Sequence, residues 1–186
     1  MTTQTSSSLD QISGDYTLDP AHSRLGFVAR HAMVTKVRGT FKDFAASLHV
    51  DAADPSKSSA RVTIQAASID TGNSDRDAHL RTNDFFAMDE FPTITFESTR
   101  VAKVGDDTYR LSGDLSIRGV IKPVTVDFEL AGAADDPWGN HRIGFEGSVT
   151  LNRKDWGINW NSPLGAGGVL VSDKVTLELD LSAIKS

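Results

Sequence analysis

The sequence predicts an all-β protein, an extended antiparallel β-barrel of about eight strands with one short helix. Three observations predict it. Apolar and polar residues alternate at period two along nearly the whole chain. The alternating runs are separated mostly by short turns built from Gly, Pro, Asp and Asn, as in half-buried antiparallel sheets. Several runs are longer than an ordinary strand, and long strands with one apolar face favour closure over a flat sheet.

In order, residues 1–14 form a polar tail expected to be disordered, and residues 15–184 form the barrel domain. Tyr16, Thr17 and Leu18 open the first strand, and Asp19 and Pro20 mark a turn. From Arg24 one long run carries Leu25, Phe27, Ala29, Val37, Gly39 and Phe41 on odd positions. It then carries Phe44, Ala46, Leu48 and Val50 on even ones. The parity switch implies a β-bulge near Lys42 and Asp43, and bulges bend a sheet towards closure. Asp54 to Lys57 turn the chain, and Val62, Ile64 and Ala66 alternate again.

Residues 68–92 break the pattern. Asn73 and Ser74 stand where an N-cap belongs, and Ser74 followed by Asp77 resembles a capping box. Asp75 and Asp77 suit the first turn of a helix, where its dipole favours negative charge. The helix is expected within residues 73–84, and Pro92 ends the segment. It is too short to be stable alone and needs a surface to lie on. Ile94 and Phe96 resume the alternation. Residues 109–117, 124–130, 143–151 and 171–181 carry the remaining stripes, separated by turns or loops at 105–107, 119–123, 135–140 and 162–168.

The chain has 186 residues, 39% hydrophobic and 24% charged, with a net charge of −6 and a pI near 5.3. That supplies one sizeable core but no dense cationic stripe, which argues against nucleic acid as a partner. There is no cysteine. The segment from Met1 to Asp15 has neither Lys nor Arg and no apolar run, unlike a secretory signal, so a cytoplasmic location is expected. The five histidines show no paired metal-ligand spacing, and no metal site is expected. Asp19, His22 and Ser23 read as a hydrogen-bonded turn rather than a catalytic triad. Gly165 to Gly168 precede a strand, not a helix, and lack the setting of a phosphate loop.

The stretches YTLDPAHSRLGFVARHAM from Tyr16, VRGTFKDF from Val37 and SIDTGNSDRDAHLRTNDFF from Ser68 resemble the YceI-like family. So do EFPTITFEST from Glu90, GDLSIRGVIKPVTV from Gly113 and LNRKDWGI from Leu151. The resemblance implies a lipocalin-like barrel whose interior holds a polyisoprenoid-type amphiphile, such as an isoprenoid diphosphate or quinone, for storage or transport. Relatives of that kind suggest a homodimer, and peripheral contact with a membrane, no enzymatic step and no cofactor beyond the bound lipid are expected.

On that basis the candidate ligand-binding residues fall on the apolar faces and the helix. The wall supplies Phe27, Phe41, Ile64, Phe96, Leu115, Phe128, Phe145 and Val149. The helical segment supplies Leu80, Phe85 and Phe86. Trp156, inside the family-like NRKDWG stretch, is expected to touch ligand, and Trp138 to plug a barrel end. Gly39, Gly113 and Gly147 would leave room inside. Arg76, His79 and Arg30 are the candidate head-group residues, while Arg81 reads as part of a salt-bridged surface. Two other readings stand beside this one. An enzyme acting on bound lipid would use His79 or Asp77 as a general acid. A structural or stress-associated dimer would have a packed interior.

Overall fold

The computed structural model describes residues 12–162, 164 and 170–186. The alternating runs form β1 (Gly14–Leu18), β2 (Arg24–His31), β3 (Thr35–Phe41), β4 (Phe44–Val50), β5 (Ser59–Gln65) and β6 (Ile69–Asp70). They continue as β7 (Thr93–Lys103), β8 (Thr108–Ile117), β9 (Val120–Asp135), β10 (His141–Asn152) and β11 (Lys174–Lys185). Helix α1 (Ser74–Leu80) lies between β6 and β7.

All pairings are antiparallel. The order β1-β4-β5-β7-β8-β9-β10-β11 closes on itself, because Leu18 of β1 pairs with Ala183 of β11. The remaining strands, β2, β3 and β6, prolong β1, β4 and β5 beyond short interruptions. The eleven segments are thus eight long strands, three of them broken once. The breaks fall at the 3-10 turn Pro20–His22, at Lys42 and Asp43, and at the 3-10 turn Ala66–Ser68. The expected parity switch is the second break: buried Gly39 is odd, whereas buried Phe44 and Ala46 are even.

One element differs from expectation. The run from Arg24 to Val50 is not one strand but a hairpin that reverses at residues 32–34, where Val34 N donates to His31 O at 3.1 Å. Its turn residues, Ala32 and Met33, are not turn formers, so the alternation runs through the reversal unmarked.

The core divides along the barrel. Ala66, Ile94, Leu115, Val124 and Trp156 pack at the helix end. Leu18, Leu25, Phe44 and Ala46 pack in the middle. Tyr16, Ile143 and Ala183 pack at the end where β1 begins. Ile12 joins this last group, and Tyr16 Oη donates to its carbonyl at 2.7 Å. Ser13 Oγ accepts from Ala52 N at 2.9 Å. Residues 12–14, assigned to the tail by composition, are therefore bound to the barrel, while residues 1–11 lie outside the described residues.

Candidate functional site

The inward faces of eight long strands converge on one lumen. Phe27, Phe41, Ile64, Phe96, Leu115, Phe128, Phe145 and Val149 all stand on the apolar side of their strands. Leu115 and Phe128 are buried, but the other six are only half-buried. Leu177 and Leu179 of β11, on the same face, are half-buried too. Apolar side chains that face inward yet keep contact with water bound a space their own atoms do not fill.

The three glycines do not leave gaps, contrary to expectation. Phe27 faces Gly39 across β2 and β3, and its ring occupies the place of a Cβ on Gly39. Phe128 covers its register partner Gly147 in the same way, and Phe96 covers Gly113 diagonally. Each ring lies along the wall instead of reaching for the barrel axis.

The helix end is built by local hydrogen bonds. Asn73 caps α1, its Oδ1 accepting from Arg76 N at 3.0 Å. Asp77 is 6% exposed, and its carboxylate accepts from the Thr71 amide at 3.0 Å and from the Thr71 hydroxyl. The capping box is therefore not formed: its carboxylate reaches Thr71 instead of the cap amide. Arg76 closes the same loop through Thr71 Oγ1 at 2.6 Å and Thr71 O at 2.7 Å. Arg81 bonds the carbonyl of Ala67 at 3.0 Å and that of Ile69, tying α1 to β6. Among the described residues it makes no ion pair of the surface kind expected for it.

The aromatic residues after α1 divide. Phe85 is buried beside Trp160, with ring centroids 5.3 Å apart. The His79 ring meets both edge-on, at 5.1 Å and 4.7 Å, and its Nε2 lies 2.8 Å from Asp84 Oδ2. Phe86 instead meets Phe41 edge-on at 5.9 Å, and Phe41 stands 5.8 Å from Phe27. Phe86 thus continues the luminal wall, whereas Phe85 belongs to a cluster with His79 and Trp160. Leu80 is half-buried at the end of α1. The head-group candidates do not converge. Arg76 is spent on Thr71, His79 on Asp84, and Arg30 is exposed on β2, where its guanidinium donates to Val34 O at 3.4 Å.

Trp138 departs from the plug role expected for it. Trp138 is 79% exposed on the β9–β10 turn and plugs nothing. Trp156 is 3% exposed, and its Nε1 donates to Leu115 O at 2.9 Å, so it closes the barrel at the helix end. Next to it is a residue that sequence reasoning missed. Arg153 is buried, with Nε donating to Ser172 O at 2.9 Å and Nη1 to Ile158 O at 2.7 Å. Burial lowers its pKa, and Asp173 opposes that shift. The NRKDWG stretch was the available signal.

Other candidates resolve plainly. His22 Nδ1 lies 2.7 Å from Asp19 Oδ2, while Ser23 Oγ bonds the Ser182 backbone, as in a structural turn. His49 and His141 pair likewise with Asp15 and Asp135. Among the described residues no group of three or more His, Asp or Glu is placed to hold a metal. Gly165 to Gly168 lie outside the described residues. Two hollows, of about 650 and 450 Å³, lie on polar outer surfaces, and no phenylalanine lines either.

The fold and site define a small closed β-barrel with an apolar, half-buried inner wall and an aromatic helix segment at one end. The chain belongs to the YceI-like family, whose domain model matches residues 16–183. It is 40% identical over 176 residues to a UPF0312 protein of Pseudomonas aeruginosa, covering 94% of this chain and 88% of that protein. It is 41% identical over 149 residues to one of Azotobacter vinelandii, covering 79% and 78%. Among solved structures, BcnA of Burkholderia cenocepacia superposes with a TM-score of 0.77 at 27% identity, covering 89% of this chain and 98% of that one. The YceI protein of Campylobacter jejuni gives 0.73 at 30%, covering 84% and 90%. A domain of Saccharophagus degradans, described as polyisoprenoid binding and implicated in plant cell wall breakdown, gives 0.68 at 17% identity, covering 92% and 98%. That last likeness concerns the fold alone.

Proposed function

We propose that the chain is a binding protein that holds the apolar tail of a polyisoprenoid-type amphiphile in its lumen, for storage or transport. The observation that carries the reading is the half-buried inward wall of Phe27, Phe41, Phe96, Phe145, Val149 and Leu177, whose side chains carry no polar atom. Such a surface favours a long hydrocarbon over water. Burying about twenty carbons at roughly 0.8 kcal/mol each yields a gross gain of about 16 kcal/mol. Chain ordering and lost rigid-body freedom subtract a large share. Enough remains for tight binding, with chain length selected more strongly than head group. The polar head, a diphosphate or a quinone oxygen, stays at the helix end, where Arg30 and His79 reach solvent. Family membership supports the ligand class, and the polyisoprenoid-binding neighbour shares the fold.

Binding is favoured over catalysis because the candidate acids are already engaged, Asp77 by Thr71 and His79 by Asp84. The homodimer and the cytoplasmic location belong to the same proposal, and luminal binding requires neither. Mass spectrometry of lipid extracted from the natively purified protein tests it. A long-chain isoprenoid at near one per chain is expected. An empty protein that also fails to take up added polyprenyl ligand would refute it.

A further inference from the structure

The hairpin joining β2 and β3 carries features the barrel does not use. Ala32 and Met33 both have left-handed backbone, with φ of 53° and 62°. A β-turn with positive φ at both central residues is the geometry that Asn and Gly adopt readily, whereas Ala and Met are strained there. Met33 is 63% exposed and Val34 78%. The tip is nonetheless firmly based. Ala32 N donates to Leu170 O at 2.7 Å, and Ser172 bonds Arg30 through both its amide and its hydroxyl.

The charge around the tip is equally unusual. Between Asp19 and Asp43 the chain has five Lys and Arg and no Asp or Glu, although its net charge is −6. Arg30 and Lys36 are direct register partners, a like-charge pairing that destabilises a sheet, and Arg38 follows on the same outward face. Among the described residues these three cations have no carboxylate partner. Nearby Asp173 is held by Lys154 and Arg153.

We propose that this tip docks the protein on the surface of an anionic lipid bilayer. Met33 and Val34 enter the boundary of the acyl region, and Arg30, Lys36 and Arg38 rest on the phosphates. The exposed Trp138 turn does not compete for this role, because Asp135 and Asp136 flank it. The tip stands at the helix end: Val171 bridges to His31 and bonds Asn161, the residue after Trp160. Docking would therefore bring that end to the membrane. Only this purpose rests on the luminal reading, because docking needs no bound ligand.

The test is sedimentation of the full, delipidated chain with vesicles of phosphatidylcholine alone or mixed with phosphatidylglycerol. Binding is expected only to the anionic vesicles, falling as salt rises. At about fivefold per charge, R30Q/K36Q/R38Q is expected to weaken it about a hundredfold. Met33→Gly removes one of the two apolar tip side chains and the strain at position 33, so it is expected to raise the melting temperature while weakening binding. Absent or equal binding to the two vesicle types overturns the proposal. So does undiminished binding by Met33→Gly, or conversion of a dimer to a monomer by that variant, which would make the tip an interface between copies. Lipid extraction from the natively purified protein is scored separately: an empty lumen with intact docking defeats only the luminal reading.

Discussion

The ring of Phe27 fills the place of the side chain that Gly39 lacks. The pairing decides where aromatic volume goes. An eight-stranded barrel is just wide enough to be filled by its own side chains. Three phenylalanines directed at the axis would occupy much of it. Laid over Gly39, Gly113 and Gly147, they keep the wall apolar and rest on the neighbouring strand. The glycines make room for a ring on the wall, and their own positions are filled by it.

Gly39→Ala is therefore expected to force the Phe27 ring inward. The cost is about 1–3 kcal/mol, as for other overpacked cores. In a Phe27→Ala background the same substitution should cost little, leaving a coupling of about 0.5–3 kcal/mol. Urea denaturation of the two single variants and the double variant measures it. Additive losses would mean that the ring and the glycine do not interact.

Phe85 and Phe86, adjacent in sequence, are expected to separate experimentally. Phe85→Ala removes a buried ring from the cluster with His79 and Trp160 and should cost about 3–5 kcal/mol of folding stability. Phe86→Ala removes a half-buried ring from the luminal wall. It should cost less stability and speed the release of bound lipid. Denaturation of the delipidated variants, with lipid off-rates measured on the loaded ones, distinguishes them. A faster off-rate in Phe85→Ala with unchanged stability would reverse the assignment.

The barrel was legible because period-two patterning reports burial directly: Phe44 and Ala46 are buried at the positions their parity predicts. The break at Lys42 and Asp43 was legible for the same reason. The hairpin reversal at Ala32 and Met33 was not, because turn recognition relies on residues that favour positive φ, and these do not. The site was legible only as a list of inward positions. Parity places Phe27 on the inner face but does not show that its ring lies sideways over Gly39. Asp77 was read correctly as lying in the first turn, but its Thr71 partner lies upstream of the cap, where no capping rule looks. Arg153 escaped because a cation beside Lys154 in a short polar stretch reads as surface. Its burial depends on carbonyls supplied by residues 158, 171 and 172, which only the fold brings near.

Arg153 yields a prediction of its own. Its guanidinium joins both ends of the segment between β10 and β11 by bonding Ile158 O, Ser172 O and, at 3.4 Å, Val171 O. Arg153→Met preserves volume but leaves buried carbonyls without a donor. A loss of about 3–5 kcal/mol is expected, the range for breaking a buried charged contact. Arg153→Lys should recover little, because an ammonium cannot reproduce the planar fork of donors. Denaturation midpoints of the two variants check this. A lysine variant as stable as wild type would show that charge alone suffices.

Arg142 holds two aspartates in the charged form. Its Nη1 lies 2.7 Å from Asp19 Oδ2 and its Nε 2.8 Å from Asp136 Oδ2, joining the turn after β1 to the β9–β10 turn. Burial pushes the Asp136 carboxyl up, but Arg142 and the amides of Asn140 and Trp138 outweigh it and hold the pKa at about 2. Arg142 is also the main cause of the lowered pKa of Asp19. Both groups thus ionise below the usual aspartate value of about 3.9. Between roughly pH 4 and pH 2 the unfolded chain takes up protons at these positions before the folded chain does. The stability they contribute is present above about pH 4 and is lost as pH falls through the folded values. The melting temperature of the wild type is therefore expected to fall over this window. Arg142→Met should lower it at neutral pH and flatten the decline, because both carboxyls return towards ordinary values. Asp136→Asn should flatten it partly, since Asp19 still titrates. Melting curves for the three proteins at half-unit pH steps decide the matter. An Arg142→Met protein that keeps the wild-type slope would place the acid sensitivity elsewhere in the barrel.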